Sequence, residues 1–244
     1  MINRLKFKFF SKKHIPMDKM NLILTVPVYA DFTEFANEDC IEGFRLNTTI
    51  KVDNPLEDIL ATAKARAEGK DVWIDLKGRQ LRIKDYLVQI KKDEEVHYIE
   101  LSHKIKLNLP AEMYLDDGNF SGTITNIIEG SKIIVKSSIE RKLGLPLPAQ
   151  GEIGIRPGMS INIPNASLEI EGNLTDRDKE YIDAALKNDM HKYFASYVEK
   201  ETDITNILEL DKEAIIGAKI ESKKGFDFVE NVYLKYKDKV QLIL

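Results

Sequence analysis

Short apolar runs recur along the chain: "LILTV" (22–26), "FRLNT" (44–48), "VWIDL" (72–76), "YFASYV" (193–198), "IIGAKIE" (215–221) and "VQLIL" (240–244). Each has the length of a buried strand. Between several of them the period changes to that of a helix. In "DNPLEDILATAKARAEG" (53–69) an Asn or Asp caps the start, Pro55 sits in the first turn, apolar residues follow at helical spacing and Gly69 ends the run. "LTDRDKEYIDAALKNDM" (174–190) opens with a capping box from Thr175 to Asp178 and turns Tyr181, Ile182, Ala185 and Leu186 to one buried side. Strand and helix alternate, which predicts a parallel α/β sheet.

That alternation stops from about residue 81 to 164. Here "YLVQI", "VHYIEL", "KIKLNL", "GTITNII" and "KIIVK" follow one another between turn signals such as "DDGN" and "RPG", with no helical pattern. The segment reads as a small all-β unit inserted into an α/β domain.

Composition narrows the classes. The 244 residues, 43% of them hydrophobic, suffice for one large α/β domain or two smaller ones. With 36 Lys and Arg against 40 Asp and Glu the net charge is -4, so no overall field favours nucleic acid or an anionic membrane. Cys40 is the only cysteine, which excludes an internal disulfide and a thiolate metal cluster and fits a reducing compartment. The basic, aromatic start "MINRLKFKFFSKKH" has too short an apolar run for a signal peptide and reads as a solvated extension packing on the domain; no stretch of about 20 apolar residues occurs. The expectation is a cytoplasmic protein with no nucleic-acid or membrane partner.

Candidate chemistry lies where strands end. Side chains at i and i+2 share a strand face, so Arg45, Asn47 and Thr49 point together, as do Asp75 and Lys77, and Lys219 and Glu221. Taken singly, each pair resembles a surface salt bridge worth about 0–1 kcal/mol. Three strands in the same phase at the same end favour a shared site, because in parallel α/β folds ligands bind where the strands' C-terminal ends meet. Arg45, Lys77 and Lys219 would make a cationic pocket, while Asp75 and Glu221 offer hard oxygens suited to magnesium or a monovalent cation. That set suits a phosphorylated, anionic substrate handled with a metal. The sequence has no phosphate-binding Gly-Lys-Ser/Thr loop and no dinucleotide fingerprint. His14, His97, His103 and His191 are scattered and read as surface or packing residues, and Ser196 lacks a nucleophile-elbow context.

The order of these segments resembles the pyruvate kinase family. "GFRLNTT" is similar to its second barrel strand, "WIDLKGRQLR" to the third strand and its exit into the lid domain, and "YLDDGN" and "GMSINIP" to the lid's acidic turn and return. "LTDRDKEYIDAAL" resembles the next helix, "YFASYVEKETDI" the fourth strand and "IIGAKIESKKGFDFVENV" the fifth with its helix. The resemblance implies an incomplete (β/α)8 TIM-type barrel of about six strands, formed by residues 1–77 and 165–244, with residues 78–164 as an inserted all-β lid domain. It implies phosphoryl transfer between phosphoenolpyruvate and ADP, with Lys219 as the electrophile, Glu221 as a ligand of magnesium (Mg2+) and Arg45 on the phosphate. Asn47, Thr49, Asp75 and the Leu76 carbonyl would take the positions of a monovalent cation, potassium (K+), and Arg82 with the lid would face the nucleotide.

The chain also departs from the family's pattern. Ile50 and Lys51 stand in place of His-Gly, Arg79 in place of Pro, Gln80 in place of Glu, and Glu199 in place of Arg. The sequence closes inside the expected sixth strand, ahead of the second magnesium carboxylate and the last two strands. An open parallel sheet leaves edges to be covered, so a homo-oligomer or a second chain is expected there. Two other readings stand beside the enzyme: a noncatalytic sensor of phosphoenolpyruvate-like acids, and a half-barrel completed by another chain.

Overall fold

All six apolar runs contribute strands to one parallel sheet in the computed structural model, which describes residues 22–49, 52–91, 94–141 and 155–243. The first part of the chain supplies β1 (Leu22–Pro27), α1 (Thr33–Ala36), β2 (Ile41–Asn47), α2 (Leu56–Arg66) and β3 (Asp71–Leu76). Eight strands in antiparallel pairings follow: β4 (Ile83–Lys91), β5 (Glu94–Leu101), β6 (Ile105–Lys106), β7 (Ala111–Leu115), β8 (Phe120–Ile128), β9 (Lys132–Arg141), β10 (Ile161–Asn162) and β11 (Glu169–Ile170). The chain then returns through α3 (Asp176–Lys187), β12 (Lys192–Ala195), α4 (Thr202–Leu210), β13 (Ile215–Lys219), α5 (Lys223–Asn231) and β14 (Val240–Ile243). The parallel sheet has the order β1-β2-β3-β12-β13-β14, so β3 and β12 are neighbours although the whole antiparallel unit lies between them in sequence.

Two-residue periodicity divides the parallel strands between two environments. Phe44, Leu46, Ile74, Leu76, Tyr193, Ile216 and Ala218 belong to one core with Leu60, Ile182, Ile204 and Phe228 of the helices. The alternate residues face the other side. There Trp73 and Phe194 stack at 4.7 Å with their planes 12° apart, both almost fully buried. Burial on both faces is what near-continuous apolar parallel strands require. The antiparallel unit has its own core, built from residues such as Ile99, Met113, Ile124 and Val135.

Several expectations shift at element ends. Pro55 is the N-cap of α2 rather than a first-turn residue, and no side chain caps that helix. The box at α3 forms as expected, with Thr175 and Asp178 bonding reciprocally. Its buried stripe starts one turn earlier than the apolar pattern indicates, at Asp178, which leaves Leu186 38% exposed at the stripe's far edge. Strand β12 stops at Ala195, before Tyr197 turns to positive φ, and α4 was not anticipated. His97 and His103 are packed inside, His191 pairs with Asp211, and His14 and the basic start lie outside the described residues. Among the described residues, no helix is long and apolar enough to cross a membrane.

Candidate active site

Asp75, near the end of β3, is the centre of the polar cluster. Its side chain is 3% exposed and meets three cations from three segments: Arg45 of β2 at 2.8 Å, Lys77 just beyond β3 at 3.0 Å, and Lys219 of β13 at 3.1 Å. The Arg45 and Lys77 contacts are hydrogen bonds to Oδ2. Lys219 approaches Oδ1, which has no hydrogen-bond partner, so this contact is one of charge alone. Burial by itself would push the Asp75 pKa up, but Lys77, Lys219 and Arg45 together outweigh it and hold the carboxyl below its ordinary value. Lys77 is pushed down by burial, with repulsion from Arg82 and Lys219 working against the pull of Asp75. Three cations around one carboxylate leave the cluster positive.

The backbone that carries these groups is tied down from below. Thr48 donates to the Asp75 carbonyl at 2.6 Å, and Ser196 donates to the Leu76 carbonyl at 2.8 Å. At the exit of β3 the amides of Lys77 and Gly78 donate to Asp178 at 2.7 and 3.2 Å, so the capping carboxylate of α3 also fixes the strand end. Gly78 has a φ of +52°, and a Cβ there would lie 2.5 Å from the Ser196 carbonyl oxygen. Only glycine meets both demands. Arg45 also lies over the Phe194 ring, 5.9 Å from its centre, which fixes the guanidinium against the stacked pair.

Glu221 stands beside this cluster. Its Oε2 accepts the Tyr197 amide at 3.0 Å and lies 4.0 Å from the Lys219 ammonium, and its side chain keeps 36% exposure. It lines a cleft of about 450 Å³ between the strand ends and the returning segment 161–170, whose walls include Leu81, Ile163, Tyr197, Glu199 and Lys223. Among the described residues, no three His, Cys, Asp or Glu side chains gather closely enough to hold a metal ion by themselves.

The expected residues are thus partly assembled. Arg45, Asp75, Lys77 and Lys219 come together, with Glu221 at their rim. Asn47 Oδ1 instead accepts from the amide of Thr49 at 3.1 Å and from its hydroxyl. Arg82 turns toward the antiparallel unit, donating to the Gly158 carbonyl at 2.6 Å and to Gln80 at 2.5 Å. Ile50 and Lys51 lie outside the described residues. Thr48, Asp178 and Ser196 were not anticipated as supports of the site. Only Asp178 had a signal, its capping box, and that box does not reveal a second bond about a hundred residues away.

The chain is similar to known proteins of one family. The family model described as pyruvate kinase, barrel domain, matches residues 48–242. Pyruvate kinase of Thermotoga maritima is 26% identical over 217 residues, covering 79% of this chain and 44% of the relative. Pyruvate kinase 2 of Candida glabrata is 26% identical over 145 residues, 57% of this chain and 26% of the relative. Pyruvate kinase of Lactobacillus delbrueckii subsp. bulgaricus is 27% identical over 175 residues, 66% and 29%. The chain therefore spans less than half the length of these relatives.

Proposed function

The chain belongs to the pyruvate kinase family, and from that membership we propose that it transfers a phosphoryl group between phosphoenolpyruvate and ADP at the Asp75 cluster. The observation that carries this reading is the convergence of Arg45, Lys77 and Lys219 on one buried carboxylate next to the cleft-lining Glu221. Phosphoryl transfer asks little covalent chemistry of a protein; it asks for position and for charge opposite the equatorial oxygens. Arg45 binds the phosphate. Lys219, whose contact with Asp75 lacks a hydrogen bond, keeps its ammonium protons for the transferring group. Lys77 adds a second ammonium from the β3 exit. Asp75 stays ionised and prevents the three cations from repelling one another apart, so the pocket is set before substrate arrives.

The donor set fits magnesium in one respect. Glu221 presents a carboxylate to the cleft, and magnesium is commonly bound by one or two carboxylates together with substrate phosphate and water. Bound there, the ion would neutralise charge on the phosphate oxygens. The potassium set does not fit as arranged. Asn47 Oδ1 is used by Thr49, the Leu76 carbonyl by Ser196, and Asp75 by three cations that would repel another. No role for potassium is proposed. In this reading β1–β3 and β12–β14 are strands of a barrel, the antiparallel unit β4–β11 is the lid over the cleft, and the protein works in the cytoplasm.

Turnover is measured by coupling pyruvate formation to lactate dehydrogenase, with phosphoenolpyruvate, ADP and magnesium supplied. The wild-type chain is expected to form pyruvate, and Lys219→Met to lower the rate at least a hundredfold, as removal of a transition-state donor does. Absence of pyruvate with the wild-type chain would overturn the assignment.

A further inference from the structure

Arg79 occupies the point where the chain passes from the parallel sheet into the antiparallel unit, and it is 5% exposed. Its guanidinium is shared between two parts of the molecule. Toward the parallel sheet, Nε and Nη2 donate to the Asp203 carboxylate at 2.9 and 2.6 Å. Toward the returning chain, Nη1 donates to the Ile170 and Gly172 carbonyls at 2.9 and 2.7 Å. Asp203, in the first turn of α4, is 3% exposed and also accepts the amides of Glu199 and Lys200 at 2.9 and 3.0 Å. Those amides belong to the segment that brings Glu199 to the cleft wall.

The outgoing and returning chains also pair directly. Ile161 donates to the Leu81 carbonyl, Ile83 to Met159 and Gly158 to Ile83, at 2.7–3.0 Å. This pairing makes the two crossings a ribbon within the antiparallel unit. It does not hold the ribbon to the parallel sheet. Side chains do: Lys224 of α5 donates to the Leu168 carbonyl, and Asn173 bonds the Thr202 carbonyl and Asn206 of α4. Arg79 is the buried charged member of this set, and its one planar group reaches the carbonyls on the return and the carboxylate of α4 together, a geometry that a guanidinium offers and an ammonium does not.

We propose that Arg79 is a latch that holds the antiparallel unit at one setting over the cleft. The proposal rests on the contacts of Arg79 and is independent of the reaction assigned to the site. A rigid setting fixes the width of the cleft between Ile163 on one wall and Tyr197 and Glu221 on the other. Keeping the Ile170 and Gly172 bonds then contributes to setting substrate access, beside the Lys224 and Asn173 contacts.

Spin labels on Cys40, the sole and exposed cysteine, and on an Asn126→Cys substitution in β8 span the two units. Electron–electron distance measurement on the labelled full chain is expected to give one narrow distribution. Arg79→Lys retains a cation for Asp203 but gives up the simultaneous reach to both carbonyls. It is expected to at least double the width of the distribution or add a second distance, with the fluorescence of the single, buried Trp73 unchanged. A broad distribution in the otherwise wild-type chain overturns the latch. So does an Arg79→Lys distribution as narrow as that of the parent. The measurement on the parent chain stands even where the variant fails to fold.

Discussion

Asp75 sets one carboxylate against Arg45, Lys77 and Lys219, and its worth is expected to show as a dependence of stability on acid. The folded-state pKa is depressed below the unfolded value of about 3.9. Its contribution is therefore fully present above that value and is lost as the pH falls through the folded pKa. Breaking a buried pair by removing one partner costs about 3–5 kcal/mol, and the 32% exposure of Arg45 points to the lower end. Asp75→Asn should be less stable by that margin in urea unfolding at pH 6, and the gap should shrink from about pH 4 downward. At this scale the two-residue phase was enough to pick out Arg45, Asp75, Lys77 and Lys219. Thr48 is out of that phase, and its contribution, a hydroxyl bond to the backbone carbonyl of a residue 27 positions away, has no local signature. Asn47 and Thr49 were in phase, yet they bond to each other, a choice made by rotamers that spacing does not encode.

Element ends decide where the site residues point. The exit of β3 is held by Asp178 of α3 and pressed through Gly78 against Ser196, the residue after β12. Gly78→Ala is expected to destabilise the chain by more than the roughly 1–2 kcal/mol that left-handed backbone costs an L-residue, since the added Cβ also meets a backbone carbonyl that cannot rotate away. Thermal unfolding checks this, and an unchanged midpoint would contradict the described turn. The capping box of α3 was legible because its partners are three residues apart. Helix α4 was not, for its first turn is organised by the buried bond between Asp203 and Arg79, which joins residues 124 positions apart. The position where Pro gives way to Arg79 looked only like a departure from a family pattern; its carboxylate partner became visible in the folded chain.

Across the whole molecule, β1 and β14 end the parallel sheet, and each pairs on one side only among the described residues. Leu22 and Ile23 of β1 are 40% and 39% exposed. An edge strand with exposed apolar residues is a template for pairing with another chain. Self-association is therefore expected, with a mass in solution above the 27.9 kDa of one chain, and Ile23→Lys should return the mass toward that value. Sedimentation of both proteins tests this, and a wild-type monomer would refute it. The sequence by itself determined the alternation of strand and helix, the all-β insertion and the phase that aligns polar residues at strand ends, because each is a matter of neighbours within a few positions. The tertiary structure alone decided that Asp178 holds the β3 exit and that Arg79 finds Asp203. These are contacts across the antiparallel insertion, between residues whose separation has no period to betray it, and they form only when burial has brought both partners out of water.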